Sequence, residues 1–599
     1  MNAEAMGEAP RGVAHRVLAK QEQLIGWEIA DRRAAFGLKM LASGAALIGA
    51  TLVAGMIWSA SRADGLVIKA FSVPPTLAAR GVTGEALAAQ TMDRLNRIAG
   101  LAISAEQQRR VSGDWGQNIS IQIPDTGVSI SQLDQWLRDR VGKERRVTGE
   151  VMLGDDGRLT LVSRSGALAL PEQTGAPAEL PAMLQRAAES LYAHEQPLSY
   201  SSYLQNQERW ADLESFARRQ IASRSRRAQA FGYADLGAAL RRKGDAAGSA
   251  AAYERSVAID ATVVPGALRS LFQIERDRGH ETRPRSLRSR YVALLNDRRA
   301  YTILSETARE QRLSEMRFVD ASERGDFAAL TAEGLKAGRT ELMGFGIGGS
   351  PVPGTVGGFA EWHDITAARA LLASYTPPAG STTGLTSLIN IAVASEDWTG
   401  ALSAYDELLA QPLYRPTAST PARRARVLAE LGRISEAETL IGTTPPDCAP
   451  CVLVRGQVAQ LAGRPRDAEH WFGEAARIAP HSRSTPYEWG RARLARGELP
   501  AAIAQFKTAE ALAPKWADPV LSHGEALLAQ SNDTAAAAKF RDAARLAPRW
   551  GRAQLRWGEA LAAQGKADEA RAKWAAAAGM DLTPSERAEL VEVSRKQAR

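Results

Sequence analysis

The sequence predicts a mainly α-helical protein: a stack of helix pairs, preceded by one membrane-crossing helix and a small α+β domain. Three observations predict it. Columns of small and aromatic residues recur every 34 positions over residues 449–584. The run Met40–Ser61 contains no charged residue. Between about residues 65 and 200 the apolar spacing switches repeatedly between the strand period of two and the helical period of about 3.6.

At 599 residues the chain exceeds one hydrophobic core, and 45% hydrophobic with 24% charged residues is the composition of folded protein. The net charge of +8 arises from 75 basic and 67 acidic residues spread along the whole length. A nucleic-acid binder concentrates positive charge on one face, so the reading excludes nucleic acid. Two cysteines in the entire chain exclude a disulfide-built fold.

Residues 1–39 read as a cytoplasmic segment, with a solvated helix close to the membrane. Residues 40–61 (MLASGAALIGATLVAGMIWSAS) would extend about 33 Å as a helix, enough to span a hydrocarbon core of about 30 Å. Trp58 falls where an interfacial anchor belongs. A cleaved signal peptide is the rival, with Ser59-Ala60-Ser61 as the cleavage site. Its basic leader of 39 residues and its apolar core are both too long. Arg32, Arg33 and Lys39 before the helix, against Arg62 and Lys69 after it, orient the N-terminus toward the cytoplasm. The expected localisation is a single-pass membrane protein, in a bacterial inner membrane facing the periplasm.

For residues 65–200 the order strand, helix, strand, helix, strand, strand, helix is expected. The strands are Leu66–Val73, Ile119–Ile123, Arg146–Leu153 and Leu159–Ser163. The helices are Thr83–Ile98, Ser129–Val141 and Pro181–Tyr192. Gly154-Asp155-Asp156-Gly157 is the hairpin turn. Asp155 and Asp156 point apart in such a turn and stay hydrated, which removes them as an acid/base pair.

The strongest pattern lies at the C-terminus. Gly456, Gly490, Gly524 and Gly558 are 34 residues apart, as are Ala468, Ala502, Ala536 and Ala570. Phe472, Phe506, Phe540 and Trp574 follow in step, then Ala475, Ala509, Ala543 and Ala577, then Pro480, Pro514 and Pro548. A small residue in a first helix admits its partner helix closely. The Ala-aromatic-Ala spacing marks one face of a second helix, and the proline stops that helix. This pattern resembles the tetratricopeptide repeat (TPR) family, with four units over 449–584. The family's aromatic early in the first helix is missing: Val452, Pro486, Val520 and Gln554 stand there, with Trp489 and Trp557 a few residues on. Another unit fits 230–263 through Gly237, Gly244 and Tyr253. Half-matches at Asp397–Ala401 with Tyr405, and at Leu428–Gly432 with Ala437, make 205–445 a run of degenerate helical repeats. Gly344–Gly358 is expected as a loop, and 585–599 as a C-terminal helix or tail.

The resemblance implies a TPR-type α-solenoid whose first helices line a concave groove. The inward positions it marks are Gln457, Tyr487, Arg491, Glu525, Arg552 and Glu559, suited to a peptide or helix of a partner protein. Trp471, Trp489, Trp557 and Trp574 sit at helical packing intervals and read as core.

Catalytic motifs are otherwise missing from the sequence. Gly344-Phe-Gly346-Ile-Gly348-Gly349 lacks the preceding strand that a dinucleotide site needs, and Pro351 and Pro353 follow it. There is no P-loop and no H-E-x-x-H, so no cofactor and no metal are expected. Cys448-Ala-Pro-Cys451 admits a structural disulfide or packed thiol pair, redox exchange, or zinc with His470 and His481. The favoured function is a non-enzymatic, membrane-anchored scaffold for protein–protein interaction at the cell envelope. The alternatives are an envelope thiol-disulfide protein or an accessory subunit of an envelope export or assembly machine.

Overall fold

The computed structural model describes residues 66–102, 120–122, 145–262, 264–297, 306–339, 352–375, 382–412 and 414–597, together with Leu47, Thr51 and Ala54. Those three residues are helical; the rest of the apolar run 40–61 lies outside the described residues, as do the expected helix Ser129–Val141 and the glycine motif at 344–349. Among the described residues no helix is long and apolar enough to cross a membrane. The chain divides into two compact units, Met1–Gln207 and Glu208–Arg599.

The first unit is built on strands β1 (Leu66–Lys69), β2 (Ser120–Gln122), β3 (Arg145–Leu153), β4 (Leu159–Ser165), β5 (Leu168–Ala169) and β6 (Gln173–Gly175). The order is β2-β1-β3-β4-β5, with β6 also on β4. β1 runs parallel to both neighbours, and its Leu66-Val67-Ile68 are all buried, as suits a central parallel strand. The helices are α1 (Pro75–Ala78), α2 (Gly84–Ala102), α3 (Leu180–Glu195) and α4 (Pro197–Asn206). α3 buries Met183, Leu184, Ala187, Leu191 and Tyr192, and packs against β4 and β6. α4 packs against α2 and α3, so this module runs on past Tyr200. Asp155 and Asp156 are exposed in the β3–β4 turn.

The second unit is entirely helical among its described residues. α5 (Trp210–Ile221) opens it, followed by the pairs α6/α7 (Arg226–Arg242, Ala246–Asp260), α8/α9 (Pro265–Asp277, Thr282–Asn296) and α10/α11 (Glu306–Glu323, Phe327–Arg339). Next come α12/α13 (Val352–Glu361, Ile365–Ala373), α14/α15 (Thr383–Ala394, Trp398–Ala410) and α16/α17 (Thr420–Glu430, Ile434–Gly442). The regular repeats are α18/α19 (Ala449–Leu461, Pro465–Ile478), α20/α21 (Ser484–Ala495, Leu499–Leu512), α22/α23 (Ala517–Ala529, Asp533–Leu546) and α24/α25 (Gly551–Ala563, Ala567–Ala578). α26 (Pro584–Gln597) is the last described element. The architecture is a TPR-like solenoid of helix pairs.

The 34-residue columns have a direct steric meaning here. A Cβ on Gly456, Gly490 or Gly524 would stand 2.8, 2.6 or 2.7 Å from the ring of Phe472, Phe506 or Phe540. Those rings are at most 1% exposed. Gly237 meets Tyr253 in the same way at 3.0 Å, which makes α6/α7 a unit of the same kind. One expectation is corrected. Residues 352–358, expected within a loop, open helix α12. Pro353 is tolerated in a first helical turn. The glycines that suggested a loop are packing positions: a Cβ on Gly354 would lie 2.8 Å from Phe318 and one on Gly357 2.9 Å from Asn390.

Within this unit the earlier pairs return to lie along the later ones, turn against connection. The α8–α9 turn meets the start of α18: Ala449 N–H donates to Gly279 O (2.9 Å) and His280 Nε2 lies 3.1 Å from Asp447. The α10–α11 turn meets the start of α22 through Lys515 and Asp326 (2.6 Å). The α12–α13 turn meets α22–α24 through His363 and Asp518 (3.2 Å) and through Trp362 Nε1 donating to Leu546 O (2.7 Å). The α14–α15 turn meets α26 where Ser585 Oγ donates to Glu396 (2.8 Å). Glycine is required at two of these turns. Gly279 (φ 80°) and Gly325 (φ 65°) adopt the left-handed region, and a Cβ on either would strike Cys448 or Trp516 at 2.7 and 2.6 Å.

Candidate functional site

Successive first helices of the regular repeats touch one another, while their second helices make no comparable approach. A stack that is close on one side and splayed on the other curves toward the close side. The first helices therefore line its concave face.

Ion pairs join first helices along this face in two groups, one from α16 to α20 and one from α22 to α26. Arg426 on α16 reaches Glu488 on α20 (3.5 Å), and Arg491 lies 3.6 Å from the same carboxylate. Arg552 and Arg556 on α24 both hold Glu525 on α22, at 2.7 and 3.1 Å. Arg556 also pairs with Glu559 (2.8 Å) and with Glu589 on α26 (2.5 Å), and Arg552 lies 3.6 Å from Glu586. The line alternates in sign along its length. Burial raises the carboxyls of Glu430 and Glu559 above the ordinary glutamate range, against the pull of Arg426 and Arg556 respectively.

Four of the six groove residues marked by sequence, Arg491, Glu525, Arg552 and Glu559, belong to this ionic line. The other two do not offer an open contact. Gln457 is 8% exposed, because Arg426 and Glu488 join the first helices on either side of its own. Tyr487 is half-buried with its ring edge-on to Trp516 at 4.6 Å and 6.4 Å from Phe506, so it is an inter-pair packing residue. Arg426, Glu488, Arg556, Glu586 and Glu589 complete the line and were not marked from sequence. Arg556 lies one turn beyond Arg552, and that i,i+4 spacing was the available signal.

The tryptophans divide by position. Trp574 is buried at 5%, while Trp489 stacks 6.3 Å from Phe472 and donates from Nε1 to Glu469 (2.8 Å). Trp557 is half-buried under Lys573 Nζ at 3.5 Å, and Trp471 carries the Arg455 guanidinium at 5.1 Å. Trp516 and Trp550, which precede α22 and α24, are also buried and hold the seam between earlier and later pairs.

Cys448 and Cys451 form a disulfide at the start of α18. Both are fully buried, and Cys451 Sγ lies 3.3 Å from Ala418 O. No group of three or more His, Cys, Asp or Glu residues that could hold a metal ion occurs among the described residues.

No family model and no curated protein matches the chain. Solved structures with similar folds include the APC/C hetero-tetramer Cut9–Hcn1, at 12% identity and TM-score 0.40, covering 68% of this chain and 86% of that one. Yeast Tom70 aligns at 13% identity and TM-score 0.34, covering 66% of this chain and 94% of that one. A tetratricopeptide repeat protein from Parabacteroides merdae aligns at 16% identity and TM-score 0.29, covering 48% of this chain and 98% of that one.

Proposed function

We propose that the chain is a membrane-tethered scaffold that binds a partner protein along the concave face of its C-terminal repeats. The observation that carries this reading is the ionic line from Arg426 to Glu589. It consists of largely buried charges, most with 13–36% of the side chain exposed, on α16, α20, α22, α24 and α26, at the face where a solenoid meets an extended peptide or helix. Once desolvation is counted, a largely buried ion pair contributes little net stability, so a partner that supplies new pairs of complementary alternating charge exchanges for it. Such patterns determine which partner binds more than how tightly. The tether is residues 40–61, with residues 1–39 in the cytoplasm and residues 62–599 outside it, facing the periplasm of a bacterial envelope. A disulfide between Cys448 and Cys451 is compatible with that oxidising compartment. Both sulfurs are 0% exposed, which favours a structural role over thiol-disulfide exchange, since exchange requires access.

The test is charge reversal in place. Arg552→Glu with Arg556→Glu should remove capture of the partner from solubilised membranes; because both arginines are largely buried among carboxylates, the loss counts only where far-ultraviolet circular dichroism matches that of the parent chain. Reversal on the convex side, Lys507→Glu with Arg541→Glu, should leave capture intact. Capture unaffected by the first pair would overturn the groove reading. Protease added to spheroplasts tests the tether: digestion should spare residues 1–39 and remove the region after Arg62.

A further inference from the structure

The seam between earlier and later pairs leaves a cleft of about 720 Å³ between the start of α26 and the α12–α13 and α14–α15 turns. We propose that this cleft is a second binding site, for a small amphipathic anion: a carboxylate or phosphate monoester on an apolar stem. It adjoins the ionic line at Glu586, which also pairs with Arg552, but does not depend on the groove reading.

The volume falls in the range of small-ligand pockets, about 300–1,000 Å³. Its apolar wall includes Ile365, Trp550, Leu582 and Val591, and Val591 is 45% exposed although its side chain is wholly hydrocarbon. The polar groups of the lining sort by whether they already have partners. Its acids all do. Asp397 caps α15 by accepting from Gly400 N–H (2.9 Å), Asp581 accepts from Thr366 Oγ1 (2.8 Å), and Glu586 accepts from Thr583 N–H (2.9 Å). The His363 ring is also engaged, between Asp518 and a parallel stack on Trp550 at 3.7 Å.

Apart from Asp397 Oδ2, what remains uncommitted consists of donors. Arg369 and Arg587 are exposed at the cleft, and their guanidinium groups form no ion pair or hydrogen bond among the described residues. Ser395 Oγ is buried in the lining with no hydrogen-bond partner. Two free guanidinium forks and a free hydroxyl beside an apolar wall match an oxyanion with a hydrocarbon tail. Guanidinium forks bind carboxylate and phosphate oxygens in pairs, and a buried hydroxyl without a partner gains one.

Calorimetric titration of the full chain with octyl phosphate, octanoate and octyltrimethylammonium tests the proposal. At least one of the two anions should bind saturably, and the ammonium should not. Binding of octyl phosphate alone assigns a phosphate ligand, binding of octanoate alone a carboxylate. Arg369→Ala with Arg587→Ala should weaken binding at least tenfold without altering the melting curve, since neither side chain has a partner in the fold. Val591→Asp should weaken it independently, by placing like charge on the apolar wall. Three results would overturn the site: no saturation by either anion, equal binding of the ammonium, or undiminished binding by the double-alanine variant.

Discussion

The four regular repeats and the six earlier helix pairs build the same solenoid by different means. In the regular repeats one steric device recurs: a glycine in the first helix receives the aromatic ring of the second, at Gly456/Phe472, Gly490/Phe506, Gly524/Phe540 and Gly558/Trp574. Among the described residues of the earlier pairs, only Gly237/Tyr253 reproduces it. The pairs between Pro265 and Gly442 instead form broad apolar clusters of Leu, Ile, Val and Tyr, such as Leu268, Leu271, Phe272, Leu287 and Tyr291. They also gain support from a second surface, since their turns rest on the connections of the regular repeats. Both regions share that seam, so what separates them is the packing within each pair: a recurrent glycine–ring column in one, broad apolar clusters in the other.

The largest expected effect tests the columns. Phe506→Ala or Phe540→Ala leaves a cavity beneath a fully buried ring and should cost about 3–5 kcal/mol, read from urea unfolding of the repeats. A loss below about 1 kcal/mol would show that the columns do not carry the later pairs.

Two glycines of adjacent repeats sharpen the point. Gly490→Ala forces a methyl to within 2.6 Å of Phe506 and should cost about 1–3 kcal/mol. Gly473→Ala on α19 meets nothing within 4 Å and should stabilise by up to about 1 kcal/mol through helix propensity. Equal effects of the two would contradict the steric reading.

The disulfide lies where the two regions meet. Replacing both Cys448 and Cys451 by Ser opens a loop of only four residues, and the chain-entropy picture assigns that about 2 kcal/mol. Hydrogen exchange should quicken around Gly279, Ala418 and Ala449 and leave α24/α25 unchanged. Uniform protection loss across all repeats would place the bond's influence elsewhere.

The smallest effect is pH-dependent. Burial lowers the His280 imidazole, but its contacts with Glu275 and Asp447 outweigh this and raise it overall. The hydrogen bond from His280 holds Asp447 below the ordinary aspartate range. A raised histidine contributes stability below its unfolded value of about 6.5 and loses it as pH rises through the folded value. A lowered aspartate contributes above about 3.9 and loses that as pH falls through its depressed value. The junction should therefore be tightest between about pH 4 and 6.5 and weaken on the alkaline side, by under about 1 kcal/mol for this half-exposed pair. His280→Gln should flatten the dependence; an unchanged profile would remove the pair from the seam.

The sequence made the regular repeats legible because their packing is local: Gly490 and Phe506 lie 16 residues apart, within reach of a period search. It made α12 illegible because Gly354 and Gly357 are packing glycines, and a glycine required by a neighbour reads the same as one required by a loop. The seam left no sequence signal. His363 and Asp518, or Gly279 and Cys448, are joined only by the superhelical return of the chain, and no periodicity records that contact. For the same reason Tyr487 read as a groove residue, since its partner Trp516 belongs to the seam.

The central claim is that the concave face of the regular repeats holds the partner, and site-directed photo-crosslinking in intact cells tests it most directly. A crosslinking amino acid at Arg491 or Arg552, on first helices, should trap one and the same protein. At Lys507 or Arg541, exposed on second helices, it should trap none of it. Trapping from the second helices alone, or equally from both faces, would contradict the account.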